Sequence, residues 1–375
     1  MSRTIALISN TAWSVANFRA GLIKALQDAG YHVLVAAPED EHALRLIASG
    51  CRFVPIPMDN KGRNPIADSV LAFRLWSLLR RERPLCALTF TPKPNIYTAL
   101  AARPLSIPVI ANIAGLGSAF VARRWLAAVV RGLYGFALRS TRRVFFQNRD
   151  DQAYFVREGL VDEAKSLLLP GSGIDLRWFA PQPVDEVDSG TFRFLLFGRL
   201  IAEKGVREYV QAARSLAAKH LAAEFHILGF LEVPNPSAVR REDMAAWVAE
   251  GVIHFHESTF DVRPHIARAD CIVLPSYYRE GTPRSLLEAA SMGKPIITTD
   301  MPGCRDTVSD GETGYLVRPR DAVDLARKME SMARLPITAR REMGRRGREL
   351  MLRGFDERIV IEKYLRVVAD AAAVR

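Results

Sequence analysis

Short apolar runs alternate with amphipathic helical patterns along this chain, and that alternation restricts the fold more than any other feature. Residues 4–9 and 32–37 are two such runs, and Leu22 and Leu26 lie between them at helical spacing. A strand, a helix and a second strand in this order predict a parallel sheet. A similar run at residues 192–197 opens another unit of the same kind. The sequence therefore predicts an α/β protein with more than one domain.

The length of the chain favours two domains. With 375 residues it exceeds the size at which a single hydrophobic core usually stops growing. Residues 180–190 carry two prolines and alternating acidic residues, a composition typical of a linker. We therefore expect an N-terminal domain over 1–180 and a C-terminal domain over 190–355. A terminal helix over about 356–375 should pack back on the first domain.

The most informative local stretch joins a strand to a helix in the second half. The apolar run at 271–274 predicts a buried strand, and a loop and a helical pattern follow it. Glu280 lies on the loop and Glu288 about a turn and a half into the helix. We expect free amide groups near Ser285 and Leu286, which would form an anion site with one carboxylate on each side. An ordinary strand–loop–helix with surface glutamates is the alternative interpretation.

A second strand-to-helix loop supplies cations. Gly198 and Arg199 follow the run at 192–197, and Lys204 comes just before the next helical pattern. Two cations on one such loop are well placed to hold a diphosphate. Together with the helix that begins near Ser285, they indicate a diphosphate site.

Metal ligands and targeting signals are sparse in the sequence. It contains no D-x-D motif, so a metal-bridged diphosphate is not indicated. His254 and His256 have strand spacing, but the sequence shows no wider ligand cluster around them, and we expect no metal. The four cysteines are scattered, which fits a reducing compartment. The apolar run at residues 4–9 is too short for a signal peptide.

Positive charge is concentrated in the first half of the chain. The net charge is +11, and residues 1–180 contribute +10 of it. Residues 83–149 hold ten lysines and arginines and no acidic residue. Such a surface implies an anionic partner, which could be phospholipid, nucleic acid or a phosphorylated substrate.

Residues 123–143 predict an amphipathic helix within that basic stretch. One stripe, about 120° wide at helical periodicity, is apolar: Leu126, Val129, Val130, Leu133, Phe136 and Ala137. The opposite face carries four arginines: Arg124, Arg131, Arg139 and Arg142. Either the apolar face lies in the domain core and the basic face is solvated, or the helix lies on an anionic membrane surface.

Several motifs together identify a family. They are Phe197-Gly198-Arg199-Leu200, Glu203-Lys204-Gly205, Glu280-x7-Glu288, Gly293-Lys294-Pro295 and Asp300-x-x-Gly303. On these motifs the chain resembles the retaining glycosyltransferases of family 4. The resemblance implies the GT-B architecture, with two facing doubly wound domains and the active site in a central cleft.

The resemblance also implies residue roles. Arg199 and Lys204 would neutralise the donor diphosphate, Glu280 would bond the hydroxyls of the donor sugar, and Glu288 would bond the ribose. The candidate catalytic residues are Arg199, Lys204 and Glu280. The candidate donor-binding residues are Gly198, Arg199, Lys204, Glu280, Gly281, Thr282, Ser285, Leu286 and Glu288. The co-substrate implied is a UDP-linked sugar, with no further cofactor and no metal.

The N-terminal half is similar to a subgroup that builds surface polysaccharides and glycans on undecaprenyl diphosphate. The motifs are Asn17-Phe18-Arg19, Lys93-Pro94-Asn95-Ile96-Tyr97 and Gly115-Leu116-Gly117. They give six candidate acceptor-side residues: Asn17, Arg19, Lys93, Asn95, Gly115 and Gly117. We expect sugar transfer to a polyprenyl-diphosphate-linked saccharide by a cytoplasmic protein, peripheral at the inner face of the cytoplasmic membrane.

Other functions fit parts of this pattern. A soluble GT-B glycosyltransferase or a nucleotide-sugar epimerase would share the fold and the donor motifs. A non-catalytic protein that binds nucleic acid or another anion would explain the basic half alone. The sequence shows no helix-turn-helix and no basic sheet studded with aromatic residues, so we expect no nucleic-acid partner.

Overall fold

A computed structural model describes residues 3–59, 64–116, 124–183, 191–231, 233 and 235–373, with residues 124–127 described by their backbone alone. The chain divides into two compact units. The first unit takes residues up to Ser172 and those from Glu357 onward, and the second spans Gly173–Asp356. The second unit thus begins before the predicted linker, because Leu176 and Phe179 are buried in its core.

The first unit is built on a seven-stranded parallel sheet with the order β3-β2-β1-β4-β5-β6-β7. Its strands are β1 (Thr4–Ile8), β2 (His32–Ala37), β3 (Arg52–Pro55), β4 (Cys86–Phe90), β5 (Val109–Ile113), β6 (Arg143–Phe146) and β7 (Ser166–Leu168). Its helices are α1 (Ala12–Phe18), α2 (Ala20–Asp28), α3 (Ala43–Ala48), α4 (Pro65–Glu82), α5 (Pro92–Ala102), α6 (Arg124–Leu138) and α7 (Arg149–Arg157).

Helices cover both faces of this sheet, so its strands are apolar on both sides rather than alternating. Every residue of β4 and β5 is buried. One face packs against α4, α5, α6 and α7, and the other packs against α1, α2 and α3. This double coverage explains why short uninterrupted apolar runs marked the strands in the sequence.

The last helix of the chain, α14 (Glu357–Ala373), belongs to the first unit. It lies beside α2 and buries Val360, Tyr364 and Val368 against the sheet. The Tyr364 hydroxyl accepts a hydrogen bond from Asn112 Nδ2 at 2.6 Å, and its ring lies 4.7 Å from that of Phe145. The first unit is therefore assembled from the two ends of the chain.

The second unit is built on a six-stranded parallel sheet with the order β10-β9-β8-β11-β12-β13. Its strands are β8 (Phe192–Arg199), β9 (Ala223–Phe230), β10 (His254–Glu257), β11 (Cys271–Leu274), β12 (Ile296–Thr299) and β13 (Gly314–Val317). Its helices are α8 (Val206–Ala218), α9 (Arg241–Ala249), α10 (Arg263–Arg268), α11 (Arg284–Ser291), α12 (Ala322–Arg334) and α13 (Ile337–Gly354). Both units are thus doubly wound.

Candidate functional site

The two loops singled out in the sequence meet at one point of the second sheet. The chain runs outward from β8 through β9 to β10, and then returns to β11 on the other side of β8. The strand order therefore reverses between β8 and β11, and ligands of open α/β sheets bind outside the carboxyl ends of strands at such a point. The loops after β8 and β11 both leave from that edge.

A buried ion pair joins these loops. Lys204 Nζ lies 2.5 Å from Glu280 Oε1, and both side chains are about one-tenth exposed, at 10% and 12%. Ser276 Oγ lies 3.0 Å from the same carboxylate oxygen. The structure thus brings together two of the three predicted catalytic residues, which are 76 positions apart in the sequence.

Two glycines allow these loops to lie directly against neighbouring backbone. Gly205 has φ +76°, and a Cβ there would fall 2.2 Å from the Pro275 carbonyl oxygen. Gly303 has φ +78°, and a Cβ there would fall 1.8 Å from the Gly281 oxygen. A side chain would meet fixed backbone at both positions, so glycine is required for the close approach as well as for the left-handed conformation.

Arg199, the second predicted cation, is the last residue of β8, where the loop that carries Lys204 begins. Its side chain is exposed and forms no hydrogen bond or ion pair with the part of the chain that the structure describes. Gly198, beside it, has φ +137°. One cation is therefore engaged by a carboxylate, and the other projects into solvent at the same edge.

The start of α11 differs in part from the predicted anion site. The helix begins at Arg284, and the Leu286 amide donates to the Pro283 carbonyl at 3.1 Å. The prediction of a free amide was therefore wrong for Leu286, because the first turn tightens into an i to i+3 hydrogen bond. Gly281 and Thr282 are buried just before the helix, and Ser285 is half-buried within its first turn.

Glu288 lies one turn into α11 and pairs with Arg284, whose Nε lies 3.1 Å from Glu288 Oε1. Burial raises the pKa of the Glu288 carboxyl to about 7, although the nearby Arg284 charge partly opposes that shift. The Arg284 guanidinium also donates to the Gly173 carbonyl at 3.3 Å. Arg284 was not among the predicted site residues, although its i, i+4 spacing from Glu288 was a signal available in the sequence.

Two of the predicted acceptor-side residues are buried in the first unit. Asn95 is 1% exposed, accepts from Thr89 Oγ1 at 2.7 Å and donates to the Asn112 carbonyl at 2.8 Å. Arg19 is 7% exposed, and its guanidinium lies 4.5 Å from the centre of the Phe90 ring. These contacts hold the sheet and its helices together, so the structure gives both residues a packing role.

The other acceptor-side candidates are spread over several loops and helices. Lys93 Nζ lies 2.6 Å from Asp68 Oδ1, with both side chains largely buried. Asn17 donates to the Trp13 carbonyl at 3.0 Å. Gly115 has φ +104°, and Gly117 lies outside the described residues.

The predicted basic face of α6 is shorter than expected. The helix ends at Leu138, so Arg139 and Arg142 follow it rather than extend its face. Arg131 Nη1 lies 3.7 Å from Glu158 Oε2, and the Arg124 side chain lies outside the described residues. A face of four arginines on one helix was therefore a wrong prediction.

The predicted apolar stripe of α6 is divided between core and solvent. Ala137 is buried and Val130 is half-buried. Three others remain exposed, Val129 at 50%, Leu133 at 37% and Phe136 at 52%. Helix α4, which packs on the same face of the sheet as α6, also has a row of exposed apolar side chains. They are Ile66, which is 76% exposed, Val70 at 41% and Phe73 at 64%. Helix α5 packs against both α4 and α6.

The histidines are more clustered than the sequence suggested. His254 and His256 lie beside His226, whose Nδ1 is 3.0 Å from His256 Nε2 and whose Nε2 is 3.1 Å from Glu224 Oε2. Burial lowers the pKa of both His226 and His256, and neighbouring histidines add to that lowering. Across the residues with described positions, no group of three or more metal-ligating side chains is arranged to hold a metal ion.

Comparison with known proteins places this site in context. A family model described as glycosyl transferases group 1 matches residues 191–334, and a model described as a glycosyl transferase 4-like domain matches residues 15–171. The chain is 28% identical to a Campylobacter jejuni protein, N,N'-diacetylbacillosaminyl-diphospho-undecaprenol alpha-1,3-N-acetylgalactosaminyltransferase, over 97% of each chain. It is 27% identical to an Escherichia coli UDP-Gal:alpha-D-GlcNAc-diphosphoundecaprenol alpha-1,3-galactosyltransferase over 68% of each chain.

Solved structures share the fold. Anabaena Alr3699/HepE in complex with UDP and glucose superposes with a TM-score of 0.81 at 16% identity, covering 98% of this chain and 99% of the other. A glycosyltransferase from Rickettsia africae gives a TM-score of 0.80 at 17% identity, covering 99% and 98%. These likenesses confirm the predicted fold class of two doubly wound α/β units. By its two family-model matches and its relatives, the chain belongs to the glycosyltransferases of the group 1 and 4-like type.

Proposed function

We propose that this protein transfers a sugar, with retention, from a UDP-linked donor to a saccharide on polyprenyl diphosphate during surface polysaccharide or glycan synthesis. The observation that carries the proposal is the 28% identity over 97% of both chains to a transferase that acts on an undecaprenol-linked sugar. The E. coli relative, whose donor is a UDP-sugar, supports the choice of nucleotide. Lys204, Glu280 and Glu288 in the second unit support the donor site.

The proposed chemistry needs little from the protein beyond stabilising charge. The bond from the anomeric carbon to the diphosphate oxygen breaks while a bond to the acceptor hydroxyl oxygen forms on the same face. The departing diphosphate takes the proton of that hydroxyl. Lys204 and Arg199 would stabilise the negative charge that develops on the leaving group, and Glu280 would hold the hydroxyls of the donor sugar.

Incubation of the purified protein with a panel of nucleotide sugars and synthetic undecaprenyl-diphosphate saccharides tests the proposal directly. We expect one donor–acceptor pair to give a product extended by one sugar with retained anomeric configuration. Transfer to lipid-free saccharides alone would favour a soluble glycosyltransferase. Conversion of one nucleotide sugar into another would favour an epimerase, and either result would overturn the lipid-linked acceptor.

Transfer should continue in excess chelator. The sequence has no D-x-D motif to bridge a metal and the diphosphate, whereas Lys204 and Arg199 are cations of the protein itself. The measurement is the initial rate after dialysis against EDTA, with and without added Mg²⁺. A rate that vanishes with EDTA and returns with Mg²⁺ would show that a metal bridges the diphosphate instead.

The affinity for UDP should rise with pH through the pKa of Glu288, which is about 7. If the ionised carboxylate is the form that accepts the ribose hydroxyls, UDP binding favours loss of its proton. Between pH 6 and 8 the ionised fraction of such a group grows about tenfold, and the association constant should follow it. The folding stability of the ligand-free protein should change with pH in the opposite direction. The raised pKa of Glu288 contributes stability that is fully present below pH 4.5 and is lost as the pH rises through 7.

Calorimetric titration with UDP across that pH range measures this effect. UDP has a phosphate group that itself titrates near pH 6, but that contribution is common to parent and variant. Glu288→Gln should remove the remaining pH dependence, whereas Glu312→Gln, at an exposed glutamate of the same unit, should keep it. Identical pH profiles for the parent and Glu288→Gln would show that Glu288 does not bind the ribose of UDP.

We further propose that the first unit binds the anionic inner face of the cytoplasmic membrane through α4 and α6. The exposed apolar rows of both helices lie in the basic half of the chain, and α6 lies within residues 83–149, which contain no acidic residue. An apolar row with cations nearby is the arrangement that enters a lipid interface. No helix in the described ranges is long and apolar enough to cross a membrane.

Replacing Leu133 and Phe136 with serine should weaken binding to anionic vesicles by at least about tenfold, since burying one such side chain contributes about 1.5–3 kcal/mol. Both residues are exposed, so the fold should persist. The matched control replaces Val323 and Ile337, exposed apolar residues of the second unit, with serine. Vesicle flotation at low and high salt measures the effect, and unchanged flotation of the Leu133/Phe136 variant would assign the apolar rows another role.

A further inference from the structure

A short segment after β9 pairs with the loop between β8 and α8, residues 199–205, which carries Arg199 and Lys204 and is called the cation loop below. In residues 235–239, the Ser237 carbonyl accepts from the Ala202 amide at 2.8 Å, and the Val239 amide donates to the Leu200 carbonyl at 2.9 Å. Ile201 and Ala238 form an antiparallel bridge between these contacts. The segment therefore forms a small ribbon with the cation loop, outside the main sheet.

A side-chain contact closes the same ribbon. Ser237 Oγ donates to Glu203 Oε2. The serine is oriented by Asn235, whose Oδ1 accepts from the Ser237 amide at 2.9 Å and lies 2.9 Å from the Ser237 hydroxyl. The hydroxyl has one proton, and the carboxylate is the stronger of its two acceptors. Ser237 is thus held in place to bind the Glu203 carboxylate.

Glu203 also connects the cation loop to the loop after β11. Its carbonyl accepts the Tyr277 amide at 2.8 Å, the following amide at 3.1 Å and the Ser276 hydroxyl at 3.2 Å. Ser276 Oγ lies 3.0 Å from Glu280 Oε1, and Glu203 directly precedes Lys204. The backbone of one residue therefore fixes the two loops whose side chains form the buried ion pair.

We propose that Ser237 and Glu203 are a positioning pair for sugar transfer. The serine holds the Glu203 carboxylate, Glu203 holds the cation loop against the loop after β11, and Lys204 and Glu280 thereby keep their places. The kinetic part of this inference rests on the proposed transferase function, and the structural part does not. Neither residue contacts the reacting atoms in this role, because both act through Lys204 and Glu280.

Kinetics of three serine variants test the pair. Ser237→Ala should lower kcat about tenfold or more, since a misplacement of about 1 Å can cost on the order of 100-fold. Ser237→Thr keeps a hydroxyl and should recover most of the rate. The control, Ser331→Ala, removes a hydroxyl that donates to the Arg327 carbonyl at 3.0 Å on α12 and should leave kcat unchanged. A parental kcat in Ser237→Ala would overturn the proposal.

Amide hydrogen exchange without substrate gives a second, independent measurement. The Tyr277 amide and its neighbour should exchange faster in Ser237→Ala than in the parent, and at the parental rate in Ser331→Ala. Unchanged exchange in Ser237→Ala would overturn the loop-holding role even in an active enzyme. If the parent chain transfers no sugar, the proposed function fails. The exchange rates still test, independently of that result, whether Ser237 and Glu203 hold the cation loop against the loop after β11.

Discussion

Lys204→Ala should lower kcat by at least about 100-fold, because loss of one preorganised electrostatic donor costs on the order of 100- to 1,000-fold. The lysine side chain is 10% exposed, and its Nζ lies 2.5 Å from Glu280 Oε1. Truncation therefore also leaves a largely buried carboxylate without its cation, and the free energy of unfolding should fall. Steady-state kinetics and thermal melts on the same preparation measure the two effects.

A double variant separates catalysis from stability. Lys204→Met with Glu280→Gln removes both charges, so the melting temperature should move back toward that of the parent while kcat stays low. Lys219→Ala is the matched control, because it removes a lysine that lies 2.7 Å from Glu330 on the same unit but in an exposed pair. A folded Lys204→Ala protein with parental turnover would contradict the assignment of Lys204 to the diphosphate.

Gly303→Ala should be much more harmful than Gly311→Ala, although the two glycines have nearly the same φ, +78° and +81°. A left-handed alanine costs about 1–2 kcal/mol at either position. At Gly303 the new Cβ would also meet the Gly281 oxygen at 1.8 Å, whereas nothing lies within 4 Å of one at Gly311. Overpacking adds about 1–3 kcal/mol, and the backbone that must yield carries Glu280.

Chemical denaturation and donor kinetics together check this comparison. We expect Gly303→Ala to lose stability beyond the Gly311→Ala control and to lose turnover through displacement of Glu280. Equal losses in the two variants would mean that the contact with Gly281 relaxes freely. In that case the conformation of Gly303, rather than its closeness to Gly281, would be the reason for glycine there.

The meeting of the loops that carry Lys204 and Glu280 could be predicted because its signals are local. Strand β11 is an uninterrupted apolar run, and β8 is apolar from Phe194 to Phe197; each strand is followed directly by its loop and helix. The order of strands in a doubly wound sheet then brings the two loops to one edge. Lys204 and Glu280 met as a pair for that reason. Ser237, which bonds Glu203, was missed because it lies outside any motif. Arg284, which pairs with Glu288, was missed although its i, i+4 spacing was visible in the sequence.

The surroundings of the candidate acceptor-side residues could not be predicted, because these residues make contacts with residues distant in sequence. Asn95 and Arg19 look like exposed polar residues in their motifs, yet both are buried. The Asn95 side chain accepts a hydrogen bond from Thr89 and donates one to the Asn112 carbonyl, and no local pattern in the sequence reveals those partners. The apolar stripe of α6 was seen in the sequence. Periodicity alone could not decide how much of it the neighbouring helices cover, and Phe136 stays half-exposed.

The return of α14 to the first unit has a consequence for synthesis on the ribosome. Translation finishes Gly173–Asp356 before it makes Glu357 and the residues that follow. The second unit can therefore complete its fold while the growing first unit still lacks the helix that covers Phe145 and bonds Asn112. Until Tyr364 emerges, that apolar surface stays open to chaperones or to neighbouring nascent chains. The helix that closes the first unit is thus translated only after the whole of the second unit.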